Sequence, residues 1–213
     1  MKTKHVMILL LALAGSAGCA TPVTPTNYLF HHRIAAKEAV KGKPLNVFWT
    51  NNTVSLSLYK HILVKQFTAS DPVGITPEID SSKFCAKLRK MIMADLRNKD
   101  RKAVTNPKNI PTGIPYLVVE GNLAQINPGN KALRGWFPFG PGRVMAEAEI
   151  KISRMDSGRK MLCGELTATE SAFFGLWGGK DGELLEKCLD NISGSVSDFL
   201  VSHRNYQSAF NKN

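Results

Sequence analysis

Several kinds of chemistry are missing from this sequence before any motif is sought. There is no Cys-x-x-Cys and no His-x-x-x-His spacing among its four cysteines and five histidines, which removes the usual zinc-type ligand sets. His31 and His32 are adjacent, and two neighbouring imidazoles do not readily serve one tetrahedral ion. No Gly-x-Ser-x-Gly elbow occurs. Gly178-Gly179-Lys180 fails as a phosphate loop, because residue 174 is Phe where Gly is required and Asp181 replaces the Ser or Thr. Long apolar runs are also lacking. The longest, Val6 to Ala14, is too short to cross a bilayer. Acid is scarce, with 17 Asp and Glu against 28 Lys and Arg for a net charge of +11. These absences lead us to expect no enzyme activity, no catalytic residue, no metal and no cofactor.

What is present begins with an address. Lys2 and Lys4 precede the apolar run, which exits through the small residues Gly15-Ser16-Ala17-Gly18 to Cys19. A basic start, short apolar core and small-residue exit make a secretory signal. Gly18-Cys19 resembles the lipobox of bacterial lipoproteins, with Ser16 standing where that pattern has Leu, Val or Ile. The resemblance implies acylation of Cys19 and release of residues 1–18. The alternative is an ordinary cleaved signal with an Ala-x-Ala site at Ala12-Leu13-Ala14. Ala20, in place of Asp, is similar to lipoproteins sorted to the outer membrane. The implied location is the outer membrane, lipid-anchored (palmitate-type acyl chains), with the domain facing the periplasm.

Residues 19–45, opening with Thr21-Pro22-Val23-Thr24-Pro25, read as a flexible tether. Residues 46–204 carry one domain's worth of patterned chain, and residues 205–213 form a polar tail expected to fray. Within the domain, Tyr59 to Phe67 holds a strand. A helix over about 82–98 aligns Phe84, Cys85, Leu88, Met91, Ile92 and Leu96 on one face, with Asp95 near the middle of that arc as a paired carboxylate. Strands over 116–126 and 143–155 follow, and the second alternates: Val144, Ala146, Ala148, Ile150 and Ile152 on one side, Glu147, Glu149 and Lys151 on a side expected to be wet. Asp156-Ser157-Gly158-Arg159 turns the chain into a returning strand over 160–170. A second helix over about 183–203, capped by Asp181, buries Leu184, Leu185, Cys188, Leu189, Ile192, Val196, Phe199 and Leu200. The expected fold is α/β (α+β): a single small domain, with a mixed sheet ending in a β-meander and two helices packed on one face.

Cys85 and Cys188 both fall on buried helix stripes, so a disulfide between them is feasible; three buried unpaired thiols are the alternative. The loop from 129 to 143 is long for a hairpin and carries Asn130, Arg134, Trp136, Phe137, Phe139 and Arg143 among glycines and prolines. Large apolar groups there must meet the core, a partner or a membrane, and we expect a contact surface for a protein partner or a second copy. The basic face around Lys83, Lys87 and Lys90 offers a second possibility, an anionic envelope polymer such as cell wall or lipopolysaccharide. Export argues against nucleic acid. The least favoured expectation is a hydrolase with an unrecognised site.

The segments Gly129-Asn130-Lys131-Ala132-Leu133-Arg134, Gly140-Pro141-Gly142-Arg143 and Asp156-Ser157-Gly158-Arg159, with the strand opening at Tyr59-Lys60-His61, resemble bacterial lipoproteins of domain of unknown function 4410. The resemblance spans about 55–202. It implies a small α/β domain with two helices on a sheet, similar to envelope assembly lipoproteins such as the curli secretion lipoprotein. It implies a non-catalytic binding or assembly role and supplies no catalytic residues.

Overall fold

Alternation over residues 144–172 builds the centre of the molecule. In the computed structural model, which describes residues 47–51, 53–69, 80–129, 144–172 and 181–210, β5 (Tyr116–Asn127), β6 (Val144–Asp156) and β7 (Arg159–Ala172) form an antiparallel meander. The β6–β7 turn has Ser157 and Gly158 both at positive φ, 46° and 80°, the two-residue geometry whose twist matches the flanking strands. β1 (Val47–Thr50) pairs antiparallel with β7 at one edge. On the other side β2 (His61–Val64) runs parallel to β5 and to the edge strand β4 (Lys102–Val104), giving the order β1-β7-β6-β5-β2-β4. The sheet is mixed, as expected, and open.

β3 (Thr68–Ala69) continues beside β5 where β2 stops. Val64 faces Val119 while Thr68 faces Asn122, so the first strand carries one residue more than its partner over this interval. That residue is absorbed as a bulge, with the buried ring of Phe67 over Gly121.

Both helices lie on one face. α1 (Ser81–Asn98) and α2 (Asp181–Phe210) run parallel, since Lys87 pairs with Glu186 and Lys99 with Asp198, at 2.8 Å. α1 contacts β3, β4 and β5, and α2 contacts β6 and β7. Leu88, Ile92 and Leu96 of α1 and Ile192, Val196 and Phe199 of α2 are almost completely buried against Val119, Ile150, Leu166 and Ala168. Each such side chain contributes roughly 1.5–3 kcal/mol relative to exposure. On the opposite face Leu63, Ile110 and Val118 form a smaller cluster, so β5 is covered on both sides near its start. That matches the unbroken apolar run Leu117-Val118-Val119.

Some local expectations are corrected. α1 starts at Ser81 and is capped by Asp80, whose carboxylate accepts from the Ser82 and Lys83 amides. α2 is helical from Asp181 and continues past a kink at Ser202 to Phe210, through the segment expected to fray. Polar composition alone does not stop a helix that a packed stripe has already nucleated.

Candidate functional site

Much of the meander's polar face is buried. Glu149 and Glu165 are 0% and 1% exposed, and Glu147, Thr167 and Asn122 are also buried. This corrects the expected solvent-facing side. Alternation separates polar from apolar faces, but it carries no information on whether the polar face is covered. Glu147 accepts from the Thr169 hydroxyl at 2.8 Å, and burial pushes its carboxyl above the usual range despite that bond. Farther along the same face, Glu120 sits between Lys65 at 2.6 Å and Lys160 at 2.7 Å. Burial raises Glu120, but the hydrogen bonds and charges of Lys160 and Lys65 outweigh it and hold the carboxyl below its ordinary value.

Between the helices, Ser193 donates to Asp95 at 2.5 Å. Asp95 therefore has its partner on α2, as expected of a paired carboxylate in an apolar arc. A serine held by a carboxylate has the look of a nucleophile, but Ser193 is 0% exposed. Beside it a cavity of about 420 Å³ is lined by Asp95, Glu170, Asp190 and Asp198. Burial raises Glu170, and a hydrogen bond from Asn191 opposes this. No group of three His, Cys, Asp or Glu among the described residues could hold a metal ion. No helix among them is long and apolar enough to cross a membrane.

The basic face of α1 is only partly available. Lys83 pairs with Asp80 at 3.5 Å and Lys87 with Glu186, while Lys90 is exposed. Cys85 and Cys188 point into the same core, as their stripes required, but neither they nor Cys163 forms a disulfide. Both sulfurs are packed as core groups. Burial pushes the Cys85 thiol up to about 11. Cys19 and the loop residues Asn130, Arg134, Trp136, Phe137, Phe139 and Arg143 lie outside the described residues.

One surface was not anticipated. At the end of the sheet where β2, β4 and β5 begin, Leu58, Tyr59, Lys60, His61, Ile114 and Pro115 line a depression of about 430 Å³. Leu58 is 72% exposed and Ile114 40%. Arg154 lies 5.8 Å from the Tyr59 ring centre and pairs with Asp156. Leu58 and Ile114 are distant in sequence and meet only because β2 and β5 are parallel neighbours. No local pattern signals that pairing.

Solved structures resemble this fold at low similarity. A PelC dodecamer from Paraburkholderia phytofirmans is 10% identical at a TM-score of 0.43, covering 69% of this chain and 94% of that one. A Xanthomonas campestris protein of family DUF330 is 9% identical at 0.45, with 75% and 94% covered. A minor lipoprotein from Acinetobacter baumannii is 11% identical at 0.38, with 69% and 96% covered. These likenesses are distant. No curated protein matches the chain. Residues 62–175, more than half of the sequence, match the family described as Domain of unknown function (DUF4410), and the chain belongs to that family.

Proposed function

We propose that this protein is an acylated envelope lipoprotein, anchored through Cys19 at the outer membrane with its α/β domain in the periplasm, acting by binding or assembly rather than catalysis. The observation that carries the reading is the N-terminal signal ending in Gly18-Cys19 ahead of a single domain. The non-catalytic part is supported by how the hydroxyls near the acidic cavity are used. Ser193 is sealed against Asp95, and Ser195 donates to the Asn191 carbonyl of its own helix at 2.7 Å. The contact surface of this reading is the segment 129–143.

Labelling with a palmitate analogue, followed by membrane fractionation, tests the anchor. Wild-type protein is expected in the membrane fraction with label, and Cys19→Ser unlabelled. Soluble, unlabelled wild type would overturn the anchor. Trp136→Ala with Phe137→Ala is expected to weaken crosslinking to a partner or second copy while thermal stability is retained. Loss of folding in that variant would assign the loop to the core instead.

A further inference from the structure

We infer that the end of the sheet where β2, β4 and β5 begin is a docking surface for an anionic lipid bilayer. The inference rests on the envelope placement proposed above, since an exported chain meets such a bilayer. The topology gathers the surface. The Lys102 amide donates to the Lys60 carbonyl at 2.8 Å, which sets these two lysines side by side where β4 and β2 start. β5 starts beside them, and its Tyr116 faces Met155, which in turn faces Lys160 across the hairpin that begins β7. Arg159 closes that hairpin opposite Asp156.

The charge of this end is one-sided. Lys60, Lys102 and Arg159 are exposed, and none forms an ion pair with a described residue. Asp156 is already taken by Arg154 and Glu120 by Lys65 and Lys160, while Asp100 is exposed. On the helix layer, by contrast, Lys83, Lys87 and Lys99 each face an acid. The uncompensated cations are interleaved with apolar groups, since Leu58 is 72% exposed and Ile114 and Met161 are 40% exposed. Tyr59 borders the same depression. Exposed aliphatic groups among unpaired cations and an amphipathic ring match the headgroup region of an anionic bilayer.

Size selects the occupant. The cations run from β7 to β4, four strand spacings apart and so roughly 19 Å. A small anion spans far less, whereas a bilayer presents phosphates across the whole width.

The test uses the full chain carrying Cys19→Ser, so that no acyl chain contributes. Partition is measured into phosphatidylcholine vesicles with and without phosphatidylglycerol, and the anionic-to-neutral ratio is compared between variants, which discounts the apolar run at Val6 to Ala14. Lys60→Gln/Lys102→Gln/Arg159→Gln is expected to lower the ratio on the order of 100-fold, each cation near an anionic surface being worth about fivefold. The helix-face control Lys83→Gln/Lys90→Gln is expected to change it by about twofold or less. Leu58→Ser, at a largely exposed site, is expected to lower anionic-vesicle partition several-fold. Equal loss per charge in the control, or no loss with both the triple variant and Leu58→Ser, would overturn the inference. Failure of acylation at Cys19 would leave these ratios unmoved, so the two readings fall separately.

Discussion

The ring of Phe67 occupies the space that a side chain on Gly121 would need. A β-carbon built at Gly121 would lie 1.7 Å from Phe67 Cε1 and 2.1 Å from Cδ1. Phe67 is 3% exposed, so its ring has little room to leave. This contact fixes the bulge between β2 and β3, where one extra residue must be accommodated without losing the pairing to β5.

Gly121→Ala is therefore expected to destabilise the domain by about 1–3 kcal/mol, the usual cost of overpacking a filled core. Combining it with Phe67→Leu should cost less than the two single changes added together, because the smaller side chain vacates the clash. Urea unfolding of the four chains measures both. Additive losses would show that Phe67 and Gly121 are not coupled.

The Ser193–Asp95 bond joins the two helices across 98 residues of sequence. Ser193→Ala should lower stability by about 1–2 kcal/mol, as expected for a hydrogen bond to a carboxylate. In a double-mutant cycle with Asp95→Ala, most of that loss should appear as coupling. A coupling near zero would remove this bond as a helix-pairing element.

Glu147 predicts a loss of stability as pH rises. Its carboxyl lies above the ordinary 4.5 in the folded state, because burial disfavours the charge. The folded chain then binds this proton more tightly than the unfolded chain. No penalty exists below the ordinary value, and it grows as pH climbs from 4.5 through the raised folded value. Glu147→Gln should flatten the fall over that window, read from urea midpoints at successive pH values. A wild type and variant with parallel profiles would contradict the assignment.

Glu120 predicts the opposite slope. Its carboxyl is held below the ordinary 4.5 by Lys160 and Lys65. Its stabilisation is present above that value and lost as pH falls through the lower folded value. The lysine side chains are 50% and 41% exposed, so solvent screens the network, and Glu120→Gln should cost no more than about 1 kcal/mol at neutral pH. The difference should shrink in high salt.

The thiols give a chemical count. Cys85, Cys163 and Cys188 are buried, and Cys85 sits near 11. Native protein should resist alkylation at pH 8, because the reactive thiolate is both scarce and covered. Unfolded without reductant, an acylated chain should take up three labels, and an unacylated full chain four. One label on an acylated chain would reveal a disulfide.

Much of this architecture could be read from the chain because its longest elements are strongly periodic. Leu88, Ile92 and Leu96 mark α1, and the alternation from Val144 to Ile152 marks β6. β1, β3 and β4 escaped notice because they are two to four residues long, too short for a period to emerge. Each is held by its neighbour's backbone rather than by its own pattern. Asp80 caps α1, yet Ser81 and Ser82 beside it are also good capping types, and only backbone geometry ranks them.

By itself the sequence determined the two helix stripes, the meander with its Asp156–Arg159 turn, and the family. These are local matters of spacing and composition, decided by residues a few positions apart. Only the tertiary structure decided that Glu149 and Glu165 are buried, that Asp95 finds Ser193, and that Cys85 and Cys188 share one core. It also set Lys60 beside Lys102 and brought Leu58 to Ile114. Each of these depends on which strands become parallel neighbours and how the helices align. Such pairings are fixed by the packing of the whole core, so no single stretch of the chain encodes them.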